Sequence, residues 1–272
     1  MRHEVAVGIV VYNAGDNLLD RLKITVSAGY SVYIFDNSPS NGTVKELAKR
    51  YEGINYFTCG SNVGLGYGIS TVCAQAEVDD FKAMVFFDQD TGFSEETLDF
   101  IEQFYLDRKE LANKYSAFLF NAKDNVGQPQ NVEGLRDVSL AINSGSLYFL
   151  ENLKRQGWHD CSYFVDGVDY KFCLDSARHH MKIGECSYTP GFDHVTEQED
   201  SIYSLFGKDY QLRPYSWRRI MDTSISSMRL IGSSVLSGEW KFSKILVRLF
   251  SIYLVTQIYV RVVNFWRRKK NV

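Results

Sequence analysis

The chain has 272 residues, enough for one large α/β domain with an appendage or for two small domains. Hydrophobic residues make up 45% and charged residues 23%, and four prolines without any biased tract exclude long disordered linkers. The net charge of −3 conceals an asymmetry: Arg213–Val272 holds 12 Lys/Arg and 2 Asp/Glu, a balance of +10, so the other 212 residues carry −13.

A basic end on an acidic body points to an anionic partner, nucleic acid or lipid head groups, or else to a solvated helical face. The five cysteines, Cys59, Cys73, Cys161, Cys173 and Cys186, are scattered, odd in number and form no CxxC pair. That pattern fits reduced cytosolic thiols rather than a disulfide framework. The opening MRHEVAVGIVVYN passes straight into a strand pattern and reads as carrying no signal peptide.

Val5 to Tyr12 is an almost wholly apolar run, as expected for a strand buried on both faces of a parallel sheet. Asn13 to Asp16 is turn-like, with Asp16 a candidate cap for a helix to about Ser27. Ser31–Phe35 is a second strand, Thr43–Tyr51 a helix and Ile54–Thr58 a third strand. The glycine-rich Ser61–Gly68 leads into a helix to about Ala76, and Lys82–Phe87 is a fourth strand ending at Asp88. Thr91-Gly92 reads as a turn, and a helix begins near Ser94 with Glu95 and Glu96 at its positive end.

Alternation of strand and helix over the first hundred residues predicts a parallel, doubly wound sheet. Asn13, Asp36, Asn62 and Asp88 then fall along its carboxyl edge, where open α/β sheets bind ligands. Beyond Lys114 the pattern is mixed. Ala141–Leu150 reads as a strand or strand-turn, Tyr163–His179 as a loop becoming a helix, and Ile183–Tyr188 as a short strand. The tail has helical spacing over Trp217–Leu236, without strong caps, and over Trp240–Trp266. Its longest charge-free stretch, Leu249–Val260, is shorter than the roughly 20 residues a bilayer crossing needs. With Trp266-Arg267-Arg268-Lys269-Lys270 at its end, the tail suits a helix lying in a membrane interface, or one packed on the body or on another subunit. Basic residues interleaved with long aliphatic runs fit lipid better than nucleic acid.

Asp88-Gln89-Asp90 follows a buried strand, and two carboxylates so placed repel each other unless a cation sits between them. Mg²⁺ prefers one or two carboxylates plus phosphate oxygens, so a divalent cation with a diphosphate is the natural partner. Asp36 can accept from a base N–H or a ribose hydroxyl, or can cap its turn. Ser61–Gly68 is neither GxGxxG nor a P-loop, which argues against a dinucleotide site, although its glycines would let a ligand approach the backbone. Asp166 and Asp169 precede or open a helix, so either is a candidate general base or an N-cap. His194 is a lone histidine that could complete a metal site begun by carboxylates.

The ordered set VGIVVYN (7–13), FDNSPSNGT (35–43), SNVGLGYGIS (61–70), FFDQD (86–90), INSGSLYF (142–149), YFVDGVDYKFCLDSA (163–177) and His194 resembles the family-2 inverting glycosyltransferases. The likeness covers about residues 4–195. Its FDQD and DGVD forms look most like bacterial rhamnosyltransferases and the related galactofuranosyltransferases of surface polysaccharides.

The resemblance implies an α/β GT-A (Rossmann-like) fold over 1–212, a mostly parallel sheet flanked by helices, with a C-terminal helical extension over 213–272. It implies that Val11, Tyr12, Asn13, Asp36, Asn62, Gly64, Asp88 and Gln89 bind the donor, and that Asn143, Ser144, Gly145 and Asp166 border the sugar and acceptor. Asp169 would be the general base, and Asp90 and His194 would hold Mg²⁺ or Mn²⁺. The implied donor is dTDP-L-rhamnose, with UDP-galactofuranose second. The implied acceptor is a lipid-linked saccharide of O-antigen or capsule, used by a possible homo-oligomer on the inner face of the cell membrane. One departure is Asp175, where the family usually carries an arginine; Arg178 lies one turn later. A non-catalytic sugar-nucleotide-binding paralogue is the alternative. A nucleotidyltransferase would want a basic glycine-rich loop where this chain reads NAGDN.

Overall fold

The computed structural model describes residues 3–39, 42–122, 130–131, 133–194, 201–205 and 208–270. Two compact units emerge, Met1–Val195 and Thr196–Val272.

The first unit runs β1 (Val5–Val11), α1 (Asp16–Ser27), β2 (Val32–Asp36), α2 (Thr43–Arg50), β3 (Ile54–Thr58), α3 (Leu65–Val78), β4 (Ala83–Asp88) and β5 (Thr91–Gly92). It continues with α4 (Glu95–Leu106), a 3₁₀ turn at Lys109–Asn113, β6 (Tyr115–Phe120), β7 (Arg136–Val138), β8 (Ser146–Phe149), α5 (Leu150–Arg155), α6 (Val168–Arg178), β9 (Lys182–Cys186) and β10 (Asp193–His194). One eight-stranded sheet has the order β3-β2-β1-β4-β8-β6-β9-β7. β3, β2, β1 and β4 are mutually parallel, and β8 runs antiparallel to both β4 and β6. This is the mainly parallel, helix-flanked GT-A arrangement that the sequence led us to expect.

All seven residues of β1 are buried, as are the first five of β4, which is why both strands read as continuous apolar runs. The chain winds outward from β1 to β3, then returns to β4 on the other side of β1. The crevice outside β1 and β4 is therefore the topological switch point, where such sheets bind ligands. Register fixes what meets there. Val11 pairs with Asp36 and Val10 with Asp88, so the two carboxylates flank the end of β1 at about two strand spacings, roughly 10 Å.

Local details differ from expectation at three places. The N-cap of α1 is Gly15, without a side-chain cap, and Asp16 is the first helical residue; the Asp16 side chain lies outside the described residues. Thr91-Gly92 is no isolated turn but a two-residue strand paired antiparallel with Asp193-His194. Only Ser146–Phe149 of the predicted 141–150 strand extends, because Asn143 to Gly145 form the bend beneath the end of β4.

The second unit holds the hairpin β11 (Ser201–Leu205) and β12 (Lys208–Leu212), then α7 (Trp217–Leu236) and α8 (Trp240–Lys270). The anticipated boundary at 212/213 thus falls inside this unit, between its hairpin and its helices. Contrary to the weak caps expected, the Ser216 side chain accepts from the Arg219 N–H and starts α7. The polar interruptions of α8 have a structural task. Buried Gln257 accepts from the Tyr215 N–H at 3.1 Å and donates to the Arg213 carbonyl at 3.0 Å. Arg261 donates to the Tyr215 carbonyl at 2.8 Å and lies 4.1 Å from the centre of the Trp217 ring. Ser234 and Ser243 join their hydroxyls at 2.7 Å where the two helices meet.

The length argument against a span does not survive. α8 is unbroken, and Trp240–Phe265 is by length and composition long and apolar enough to cross a membrane. A charge-free run was too strict a criterion, since a helix tolerates isolated basic residues whose long stems reach toward the head groups. The same test is passed by core helices of soluble proteins, but only 17% of the most apolar window of this segment is buried. The side chains of Trp266–Lys270 lie outside the described residues.

Candidate active site

The site grows from the end of β4. The Asp88 N–H donates to Ser144 Oγ at 3.0 Å, and Ser144 Oγ shares a 2.6 Å hydrogen bond with Thr91 Oγ1. The Gly145 N–H donates to the Phe86 carbonyl at 2.8 Å. Gly145 has φ +80°, and a Cβ there would fall 2.7 Å from the Phe120 carbonyl oxygen, so only glycine fits. Asn143, Ser144 and Gly145 were expected to border the sugar. Asn143 and Ser144 are buried, and the bend serves as the floor that shapes the Asp88–Thr91 turn. The Asn143 Oδ1 accepts from the Tyr148 hydroxyl at 2.9 Å.

From the β1 side, the Tyr12 N–H donates to Gln89 Oε1 at 2.8 Å, closing the switch point over the crevice. Tyr12 itself is 47% exposed and free to face a ligand, whereas Val11 is buried in the strand. Asn13 adopts φ +50° and its N–H donates to Ser38 Oγ at 2.8 Å.

Asp36 is only 2% exposed. Its Oδ2 accepts from the Tyr56 hydroxyl and its Oδ1 from the Ser38 N–H, both at 2.8 Å. Reading a base through this carboxylate would use its remaining lone pairs. Asn37, which the sequence did not single out, organises the next loop: Oδ1 accepts from the Val63 N–H and Nδ2 donates to the Gly64 carbonyl. Exposed Asn62 accepts from the Gly64 N–H through its side chain, an Asx-turn. The glycine at 64 has a packing role. It has φ +95°, and a Cβ there would lie 2.7 Å from the Phe164 carbonyl oxygen, so it lets the 58–64 loop pack on the 160s loop. Ser40 and Asn41 of the turn motif lie outside the described residues.

The 160s loop delivers Asp169 to the first turn of α6, after Gly167 in the left-handed conformation. Asp169 Oδ1 accepts from the Tyr170 N–H at 2.8 Å. Burial pushes its carboxyl up to about 6, with backbone hydrogen bonds opposing and Asp166 adding to the rise. Burial likewise pushes Asp88 up to about 7, with Asp90 and then Asp169 adding repulsion. Asp88 thus feels the charge of Asp90, two residues on, and of Asp169, 81 residues on, at one crevice. The Asp175 departure resolves within α6, where Asp175 pairs with Lys171 and with Arg178 at 3.4 Å. His179 and His180 face solvent as expected. His159 is buried against Tyr148 and Phe172 with both ring nitrogens unpartnered, and burial lowers it to about 3, so it is a neutral packing group.

Among the described residues no cluster of three His, Cys, Asp or Glu side chains forms a metal cage. The donor set nevertheless suits a hard cation. Asp88 and Asp90 repel each other at half-buried positions, and Mg²⁺ or Mn²⁺ commonly takes one or two carboxylates with phosphate oxygens completing the shell. The backbone of His194 pairs with Thr91, immediately after Asp90. Its side chain, the expected second ligand, lies outside the described residues.

Comparison with known proteins adds to this geometry. Residues 6–123 match the model of Glycosyl transferase family 2. The match contains Asp36, Asn62 and Asp88–Asp90, while Asp169 and His194 lie beyond it. A search of curated proteins gave no match. Among solved structures, S. aureus TarS 1–349 in complex with UDP-GlcNAc superposes with a TM-score of 0.57 and 16% identity, covering 85% of this chain and 66% of that one. GalNAc-T7 with UDP, GalNAc and Mn²⁺ gives 0.56 and 12%, covering 84% and 48%. TarS 1–349 gives 0.51 and 16%, and the match spans 60% of its length. At such low identities the superpositions show the fold alone. The family likeness thus covers 118 of the 272 residues, and the solved structures share the mainly parallel, helix-flanked fold.

Proposed function

We propose that this chain is an inverting glycosyltransferase that moves a sugar from a pyrimidine nucleoside diphosphate to a hydroxyl of a lipid-linked saccharide. The observation that carries the reading is the convergence of Asp88, Asp90 and Asp169 at the β1/β4 crevice, with Asp169 held at about 6. A carboxylate with that affinity is ionised at neutral pH and still basic enough to accept a proton. Asp169 takes the proton of the acceptor hydroxyl as its oxygen attacks the anomeric carbon. The nucleoside diphosphate departs from the opposite face, and the configuration inverts. Tyr12, Gln89 and the 62–64 loop border the nucleotide. Asp90, with Asp88 beside it and His194 as second ligand, would hold a divalent cation. That cation supplies charge neutralisation for the departing diphosphate.

dTDP-L-rhamnose is the donor favoured by the FDQD and DGVD motifs. A UDP-sugar is the second reading, favoured by the TarS and GalNAc-T7 structures, which hold UDP-GlcNAc and UDP. The +10 tail, with an exposed apolar helix of spanning length, supports attachment at the inner face of the cell membrane, where lipid-linked acceptors reside. Calorimetry and donor hydrolysis with dTDP-rhamnose, UDP-galactofuranose, UDP-GlcNAc and UDP-galactose, with and without Mn²⁺, test the reading. Binding of one donor that strengthens with Mn²⁺ is expected. Absence of binding to every nucleotide sugar would sink it.

A further inference from the structure

Arg21 reaches from α1 to the turn that follows β4. Its Nη1 donates to the Thr91 carbonyl at 2.6 Å, and its Nη2 donates to the Gln89 carbonyl. These two carbonyls bracket Asp90. The guanidinium carbon lies 5.9 Å from the centre of the Phe93 ring, and Phe93 stacks on Phe87 at 4.3 Å, directly below the start of the turn. From the opposite side Ser144 ties the Asp88 N–H and the Thr91 hydroxyl. Thr91 in turn pairs with the backbone of His194.

A rigid guanidinium fork holds two acceptors at a fixed separation, whereas a lysine ammonium is a point charge on a flexible stem. What Arg21 contributes is geometry: it fixes the 89–90 and 91–92 peptide planes, which flank the Asp90-Thr91 pair.

We propose that Arg21 is a positioning residue that sets Asp90 for a divalent cation bound together with a nucleoside diphosphate, touching neither itself. The proposal rests on the glycosyltransferase reading above. A one-ångström drift of a carboxylate is enough to weaken a metal site, and residues that orient ligands typically contribute about 10- to 100-fold in metal affinity.

The test titrates Mn²⁺ into full-length protein with UDP or dTDP and follows free Mn²⁺ by electron paramagnetic resonance. Wild type, Arg21→Met and Arg21→Lys are compared, with nucleotide affinity in EDTA and melting temperature measured alongside. Both variants are expected to bind Mn²⁺ about 10-fold or more weakly, with metal-free nucleotide affinity changed less than about twofold. Wild-type Mn²⁺ affinity in folded Arg21→Met overturns the proposal, and full rescue by lysine overturns its geometric basis. Should Arg21→Met not fold, Arg21→Lys decides alone by the same criterion. Failure of wild type to bind Mn²⁺ with either nucleotide overturns the underlying metal reading as well, and is distinguished by appearing before any substitution.

Discussion

The crevice at β1/β4 and the α7–α8 tail treat buried polar groups in opposite ways. In the tail, Gln257 and Arg261 interrupt an apolar helix, and each is matched to backbone groups of residues 213–215. In the crevice, Asp90 and Asp169 are set against Asp88, and burial raises Asp88 and Asp169. A polar group matched inside the protein reports on folding. Like charges left facing each other report on something the fold is built to receive.

Substitutions should separate the two regions. Asp90→Asn should lower transfer by about 10²- to 10³-fold, the scale of removing one preorganised electrostatic group, with little change in melting temperature, as steady-state rates and calorimetry would reveal. The pH profile comes next in size. With Asp169 at about 6 and the ionised form acting as base, kcat/KM should fall about tenfold per unit below pH 6 and level off above it. A rate independent of pH between 4.5 and 7 would remove Asp169 from that role.

The tail should respond in stability instead. Gln257→Leu leaves the Tyr215 N–H and the Arg213 carbonyl without their partner and should cost about 1–3 kcal/mol in urea unfolding of the second unit, with donor affinity unchanged. The smallest effect has the opposite sign. Asp88 binds its proton more tightly folded than unfolded, so its ionisation costs stability as pH rises from about 4 through 7. Asp88→Asn should therefore raise the melting temperature by a few degrees at pH 8 and have almost no effect near pH 4.

The same contrast explains what was legible in the sequence. β3 runs over the residues read from sequence, and β1, α1, β2, α2 and β4 differ by a residue or so at their ends, because continuous apolar runs and turn residues are local signals. The Asp88–Asp90 turn, the Asp166–Asp169 loop and α7 were legible for the same reason. Thr91-Gly92 was not, since a two-residue strand carries no periodicity and its partner lies a hundred residues away. Arg21 and Asn37 were missed because their importance lies in long-range hydrogen bonds; Ser144 was singled out for the sugar, but its hydrogen bond to the Asp88 N–H was not foreseen. The packing role of the glycine at 64 was not legible, because a glycine-rich loop looks alike whether a phosphate or the Phe164 backbone comes close. The clasp that Gln257 of α8 makes on residues 213–215 was not foreseen, since sequence does not show which backbone a polar side chain meets.

The most direct test of the account is donor binding measured beside turnover in wild type and Asp169→Asn, using whichever nucleotide sugar the panel selects. The account predicts donor affinity within about threefold and a turnover loss of about 10²–10⁴, the usual contribution of a general base. Turnover near the wild-type value in folded Asp169→Asn would contradict it.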